Sequence, residues 1–273
     1  MNAGSDAVST FRVDGDALSL VNVVPSGGEF PASIAVHHDL VYVLNAGGTG
    51  TVQGFRIDDS GLAPIAGSAR TLGLANTTPP FFLTSPGQVG FTPNGRQLLV
   101  TTKASTSSID VFQVMRDGML SSTFVANPSA TPVPFAFTFA HGRLVSGEAG
   151  ASSVTTYRLD QDGMLSDAKS QSDGQAELCW IQRVGRFFFV SNTASNTLSS
   201  FTVEGGQPAL PRARRRDHRD GPDRPHVAEG HALPLRGDGH SRHGGRVRRR
   251  RRRCAQTDRH RQRPAAPGME GIA

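Results

Sequence analysis

Cysteine is almost missing from this sequence: Cys179 and Cys254 are its only two among 273 residues, so no disulfide framework can hold the fold. No apolar run is long enough to cross a membrane as a helix, and the opening MNAGSDAVST lacks the charged-then-apolar order of a signal peptide. As written, the chain is expected to stay in the cytoplasm without membrane contact, unless an upstream export signal has been lost.

Basic residues are scarce where a binding surface would need them. The formal charge of +6 and pI near 10.3 suggest a nucleic-acid binder. However, from Pro211 onward there are 18 Arg against 7 acids, which leaves 11 Lys and Arg against 16 acids in the first 210 residues. The basic stretch 211–264 contains no Phe, Trp or Tyr on which a base could stack, and it has no periodic apolar pattern that would present its Arg on one face. A specific nucleic-acid site is excluded on these grounds, although salt-sensitive adhesion to polyanions is not.

What the chain does contain is a repeat. VSTFRV at 8–13 recurs as VQGFRI at 52–57, IDVFQV at 109–114, VTTYRL at 154–159 and LSSFTV at 198–203. The aromatic anchors Phe11, Phe55, Phe112, Tyr157 and Phe201 follow one another at intervals of about 44, 57, 45 and 44 residues. Short alternating strands at that period predict the blades of a β-propeller: about five successive four-stranded blades over residues 2–210, the first incomplete, with almost no helix. The longer interval holds an insertion, LGLANTTPPFFLTSP at 72–86, which could roof a ligand site or simply pack down.

Turn chemistry separates the strands. Asn94-Gly95, Asp117-Gly118 and Asp162-Gly163 supply the left-handed positions that tight turns need, and all three are expected in solvent. His37, His38 and His141 fall in or beside such turns and read as solvated loop residues rather than ligands. The Gly-rich NAGGTG at 45–50 lacks the Lys and Ser/Thr ending of a phosphate loop. DQDG at 160–163 lacks the distant Glu of a calcium loop. No metal site and no cofactor site are therefore expected.

The combination of VYVLNAG at 41–47, a YVTN-type repeat, with FTPNGR at 91–96 and FRIDDSGL at 55–62 resembles the lactonase-like seven-bladed β-propeller family. That family includes propeller-type 6-phosphogluconolactonases and carboxymuconate-lactonising enzymes. The resemblance covers residues 2 to about 210 and implies about five recognisable blades of an ancestral seven. It also implies hydrolysis of a sugar lactone at the mouth of the central channel, by a monomer that takes a small lactone or carbohydrate. The slots on the loops entering each innermost strand are Ser33, Gln88, Ala136 and Trp180, of which Ser33, Gln88 and Trp180 are the substrate-binding candidates. Where the phosphogluconolactonases carry Pro-Arg-His, this chain has PGQV at 86–89, so a general base and a phosphate clamp are both missing. Lys103 in TTKAS and Glu148 in SGEAG are the remaining catalytic candidates, read as equivalent positions of neighbouring blades that either face each other across the rim or form a surface salt bridge. Activity is expected to be impaired. The alternative is a non-catalytic propeller that binds a protein or carbohydrate on the same face.

The two ends of the chain depart from the repeat. Met1 is followed at once by Asn2-Ala-Gly, a mid-blade turn, so the first blade is expected to have lost its preceding strands. Residues 211–264 read as a disordered basic tail, or as a frameshifted blade. Read one base forward, codons for 217–224 can spell TTGTGPID, and codons for 240–256 can spell a stretch containing VDEFAV and DGAL, which are repeat sequences. The six consecutive Arg at 248–253 would then be Gly, Ala and Asp codons in the wrong frame, and residues 265–273 would be a remnant of the family segment back in frame.

Overall fold

The computed structural model describes residues 1–211 and the short strand Leu233–Pro234. Apart from a single 3-10 turn at Ala3–Ser5, the described residues are built from strands, and the fold is a β-propeller. The first unit is the two-stranded hairpin β1 (Ala7–Asp14) and β2 (Ala17–Pro25). Four antiparallel sheets follow, each pairing its strands in chain order. They are β3 (Pro31–His37), β4 (Leu40–Asn45), β5 (Thr51–Asp58) and β6 (Gly61–Pro64), with β7 (Arg70–Thr71) added on β5; then β8 (Val89–Phe91), β9 (Gln97–Thr101), β10 (Ser108–Gln113) and β11 (Val125–Pro128). Next come β12 (Pro134–Ala140), β13 (Arg143–Glu148), β14 (Ser153–Leu159) and β15 (Leu165–Ser172), then β16 (Leu178–Val184), β17 (Phe187–Asn192), β18 (Thr197–Glu204) and β19 (Gln207–Ala209). The strand Leu233–Pro234, β20, pairs with Thr197 and Leu198 of β18. Apart from Pro211 and this strand, the expected tail 211–264 and the remnant 265–273 lie outside the described residues.

The central strands β4, β9 and β13 are buried on both faces because their sheets have a neighbour on either side, whereas β17 of the last sheet, covered on one side, alternates buried and exposed residues. β4, LVYVLN, is buried at every position, so it reads as a continuous apolar run rather than an alternation. The anchors Phe55, Phe112 and Phe201 are fully buried and Tyr157 is nearly so, but Phe11 is 52% exposed. Phe11 has the same place in the repeat, yet its own sheet has only two strands and gives it nothing to pack against.

A recurring latch fixes each blade to the one before. On one face, the β5–β6-type turn of each blade offers its carbonyls to side chains of the preceding unit. Arg12 donates to Asp59 O at 2.9 Å, Arg56 to Asp117 O at 2.8 Å, and Gln97 to Asp160 O at 2.9 Å. Tyr42 Oη donates to Gly118 O at 2.8 Å, and Asn127 Nδ2 to Gly163 O at 2.9 Å. This corrects one expectation about the turns: Asn94, Asp117 and Asp162 are exposed, but Gly118 and Gly163 are buried because the neighbouring blade holds them. A side chain at Gly118, whose φ is +87°, would meet the Arg56 guanidinium at 2.6 Å.

The opposite face carries the mid-blade turns and the connections into each inner strand. Lys103 and Glu148 both lie at this face, called the mouth face below, whereas His38 and His141 sit in hairpin turns at the other end and His37 closes β3 just before one of them.

Candidate functional site

Register decides what each mouth-face residue can do. Asn45 pairs with Thr51, Glu148 with Ser153 and Asn192 with Thr197, and Thr102 donates its backbone N–H to Ser108 O at 3.1 Å, one step beyond the Thr101–Ile109 pair. Thus Asn45, Thr102, Glu148 and Asn192 are equivalent, and Lys103 is one residue further on, matching Ala46, Ala149 and Thr193. The reading that placed Lys103 and Glu148 at equivalent positions is corrected by this offset. In a strand, one residue of shift turns a side chain to the opposite face. No ion pair joins the two among the described residues.

Glu148 is fully buried. Its carboxylate accepts hydrogen bonds from the hydroxyls of Thr131, Thr155 and Tyr157. Burial pushes its pKa up, and the three hydroxyls oppose that only partly. The Tyr157 phenol is in turn pushed up by its own burial and by the adjacent carboxyl. Thr131 lies in the connection into β12, so Glu148 ties the end of one mid-blade strand to the chain entering the inner strand of the same blade. Asn45 does comparable work by donating to Ser26 O at 3.1 Å.

Lys103 is buried, at 3% exposure, in a bracket of aromatic rings. Its Nζ lies 4.1 Å from the centre of Phe82 and 4.8 Å from that of Phe135. The backbone at Lys103 is left-handed, with φ of +49°, unlike that of Ala46, Ala149 and Thr193. Strained backbone of this kind persists only where its surroundings fix it. Burial lowers the amine pKa to about 8, the nearby Cys179 opposing it weakly. The Cys179 thiol is itself pushed up by burial, although Thr193 donates to its sulfur at 3.1 Å.

The rings around Lys103 come from three elements. Phe82 comes from the insertion and Phe135 from β12; Trp180 of β16 stands edge-on to Phe135 at 5.1 Å. Phe82 and Trp180 are 45% and 47% exposed, so aromatic surface faces solvent at the edge of the bracket while the amine itself is covered. The insertion is pinned in place. Leu72, Leu74 and Asn76 donate backbone N–H groups to the carbonyls of Gly50, Thr49 and Gly48, each at 2.8 Å, and Leu83 O accepts from Ala104 N at 2.9 Å. The Gly-rich turn at 45–50 is therefore the insertion's docking platform.

The other predicted slots mostly act between strands. Ser33 Oγ accepts from Val89 N at 3.1 Å, joining β3 to β8. The Gln88 amide donates to Phe137 O at 3.1 Å and accepts from Phe137 N at 2.9 Å, joining β8 to β12. Ala136 is buried, and of the slot residues Trp180 is the most open. At Gly87, in the stretch where the resembled family carries Arg, a Cβ would fall 2.5 Å from Phe135 O, so this backbone leaves no room for a side chain. Phe135 and Cys179 were not singled out from sequence. The apolar PVPF at 132–135 was the only hint of Phe135, and nothing marked Cys179.

Two further expectations are met. The Asp160 carboxylate accepts from the backbone N–H groups of Asp162 and Met164, as a turn residue does. His38 and His141 are exposed turn residues, whereas His37, at the end of β3, is half-buried against His38 and Phe91. No cluster of three or more metal-ligating side chains occurs among the described residues.

No family model and no curated protein matches this chain. Solved structures do match. One from Bacteroides uniformis, provisionally described as a 6-phosphogluconolactonase, is 22% identical with a TM-score of 0.60, over 77% of this chain and 65% of its own. The shared fold is the β-propeller. A Lactobacillus plantarum protein matches at 15% identity and a TM-score of 0.57, over 71% of this chain and 58% of its own. A nidogen/laminin complex matches at 13% and 0.51, over 74% and 73%. The chain thus spans about three-fifths of the length of the two bacterial structures. At these identities the likeness is one of fold, and propellers host unrelated functions.

Proposed function

We propose that this lactonase-like propeller takes a sugar lactone at its mouth face and opens it slowly, with Lys103 as the reacting amine. The observation that carries the reading is the Phe82–Lys103–Phe135 bracket, whose Phe135 ring packs on the half-exposed Trp180. Aromatic faces stack on the apolar side of a sugar ring. An amine with its pKa brought to about 8 is basic enough to take a proton yet partly neutral at physiological pH. The neutral Nζ accepts a proton from water as the water oxygen bonds to the lactone carbonyl carbon, and the carbonyl π electrons move to oxygen. The ammonium stabilises that oxyanion. On collapse the ring C–O bond breaks and the proton passes to the departing alkoxide, giving the hydroxy acid and the free amine. Neither metal nor cofactor enters these steps. Turnover is slow because the Arg–His pair of the resembled family is missing at 86–89.

Glu148 serves as a positioning residue in this scheme. It holds Thr131, and Ser129 of the same connection donates its backbone N–H at 2.9 Å to Ser107 O, in the turn that carries Lys103. Ser33 and Gln88 set the spacing of the inner strands, and Trp180 meets the ligand. The test is hydrolysis of glucono-1,5-lactone and other uncharged aldonolactones by the full chain, corrected for spontaneous opening. Slow, saturable turnover reduced about 100-fold by Lys103→Met is expected. A wild-type rate equal to that of Lys103→Met would refute it. One observation favours the non-catalytic alternative: Glu148 is closed off, which leaves Lys103 as the only ionised group of the bracket. Ligand binding without turnover would establish that alternative.

We also propose that this protein works as a monomer on a small molecule, and that residues 211–264 are shifted translation rather than a nucleic-acid arm. The source gene, read in three frames, tests the latter. Stops in the alternate frame, or loss of VDEFAV and DGAL, would restore the basic arm.

A further inference from the structure

A buried cation without a counter-charge is costly, and proteins resolve that cost with a partner. The ion pairs among the described residues are Arg56–Asp39, Arg143–Asp167 and Arg158–Asp167, and none includes Lys103. The rings of Phe82 and Phe135 offer it π electrons but no negative charge. Its backbone is held left-handed, where the equivalent Ala46, Ala149 and Thr193 are not. The amine is thus buried, strained and unpaired at a place where Phe82 and Trp180 leave broad apolar faces open to solvent.

We propose that Lys103 is the receptor for the carboxylate of a small hydroxy acid whose carbon chain lies along Phe82 and Trp180. The carboxylate would supply the missing counter-charge as a charge-assisted hydrogen bond in a site of low dielectric. Carboxylate chemistry is favoured over phosphate because the site offers one ammonium and no guanidinium fork. Gly87 excludes a side chain in the stretch where one could be built in. Such an acid is also what lactone opening would release. The proposal rests on the same mouth-face site as that reaction, but not on the reaction taking place.

Trp180 is the only tryptophan in the chain, so its fluorescence reports the site directly. The full chain is titrated with gluconate and, separately, with glucitol, which has the same carbon count and no charge, at pH 6.5 and 9.5 and constant ionic strength. At pH 6.5 gluconate is expected to bind about tenfold more tightly than glucitol. At pH 9.5 the amine is mostly neutral, and the two are expected to bind within about twofold of each other. Lys103→Met removes the preference and Lys103→Arg keeps it, which separates charge recognition from a folding defect. Equal affinities at pH 6.5, no binding of either compound, or a preference that survives Lys103→Met would each overturn the proposal. Absence of lactone turnover in the same preparation bears on the hydrolysis alone.

Discussion

Lys103 Nζ and the ring of Phe82 stand 4.1 Å apart, an amine at the end of a mid-blade strand against a ring from the loop that leads into that blade. The contact offsets part of the burial cost without removing it. Lowering a lysine from its ordinary value to about 8 corresponds to ~3 kcal/mol, of which two ring contacts return ~1–2 kcal/mol. Lys103→Met should therefore stabilise the protein by about 1–2 kcal/mol at pH 7, as read by denaturant unfolding. The sign follows from proton counting. Between about pH 8 and the ordinary lysine value the unfolded chain holds more protons than the folded one, so wild-type stability rises with pH there. The advantage of the variant should shrink over that window and be constant below it. An advantage that grows with alkaline pH would be the wrong sign.

Asp110 makes the complementary case. It is 2% exposed, accepts from Ser108 Oγ at 2.7 Å, and burial raises its pKa to about 6. An acid with a raised folded pKa holds its proton more tightly when folded, so stability falls as pH rises from about 4 to about 6 and is level above that. The difference corresponds to roughly 2–3 kcal/mol. Asp110→Asn should be more stable than wild type at pH 7 and equal to it near pH 4. Equal stability at both pH values would show that the carboxylate is solvated.

The repeat anchors should differ in worth according to their sheets. Phe112 is fully buried between blades, and truncation to Ala should cost ~3–5 kcal/mol. Phe11 occupies the same place in the repeat but is half exposed, and its truncation should cost less than ~1 kcal/mol. Thermal unfolding of the two variants side by side checks this. Similar losses would mean that Phe11 is covered in solution.

The sequence pattern was sufficient for the sheets because each blade repeats the same local chemistry: a β-branched run, a small-residue turn, an aromatic anchor and an Asp-Gly turn. It did not show that Gly118 and Gly163 would be buried, because the Arg56 and Asn127 latches come from distant parts of the chain. It marked Lys103 as a titratable residue after a mid-blade strand but misjudged its neighbours. A one-residue register offset from Glu148 cannot be read without the strand pairing, and neither Phe135 nor Cys179 is near Lys103 in sequence. Ser33 and Gln88 were read as slots on the loops entering inner strands; Ser33 lies within β3 and Gln88 just before β8, and whether such a side chain meets ligand or backbone depends on the spacing of adjacent blades.

The account turns on one amine, and the chain has only two lysines, Lys103 and Lys169. Labelling lysine with 13C at Cε and 15N at Nζ and following both groups by NMR from pH 6 to 11 titrates each directly, with Lys103→Met supplying the assignment. The prediction is that the resonances lost in the variant titrate near pH 8. If they move only above pH 10, the ammonium is solvated, the aromatic bracket is not closed around it, and both the proposed hydrolysis and the carboxylate site lose their basis.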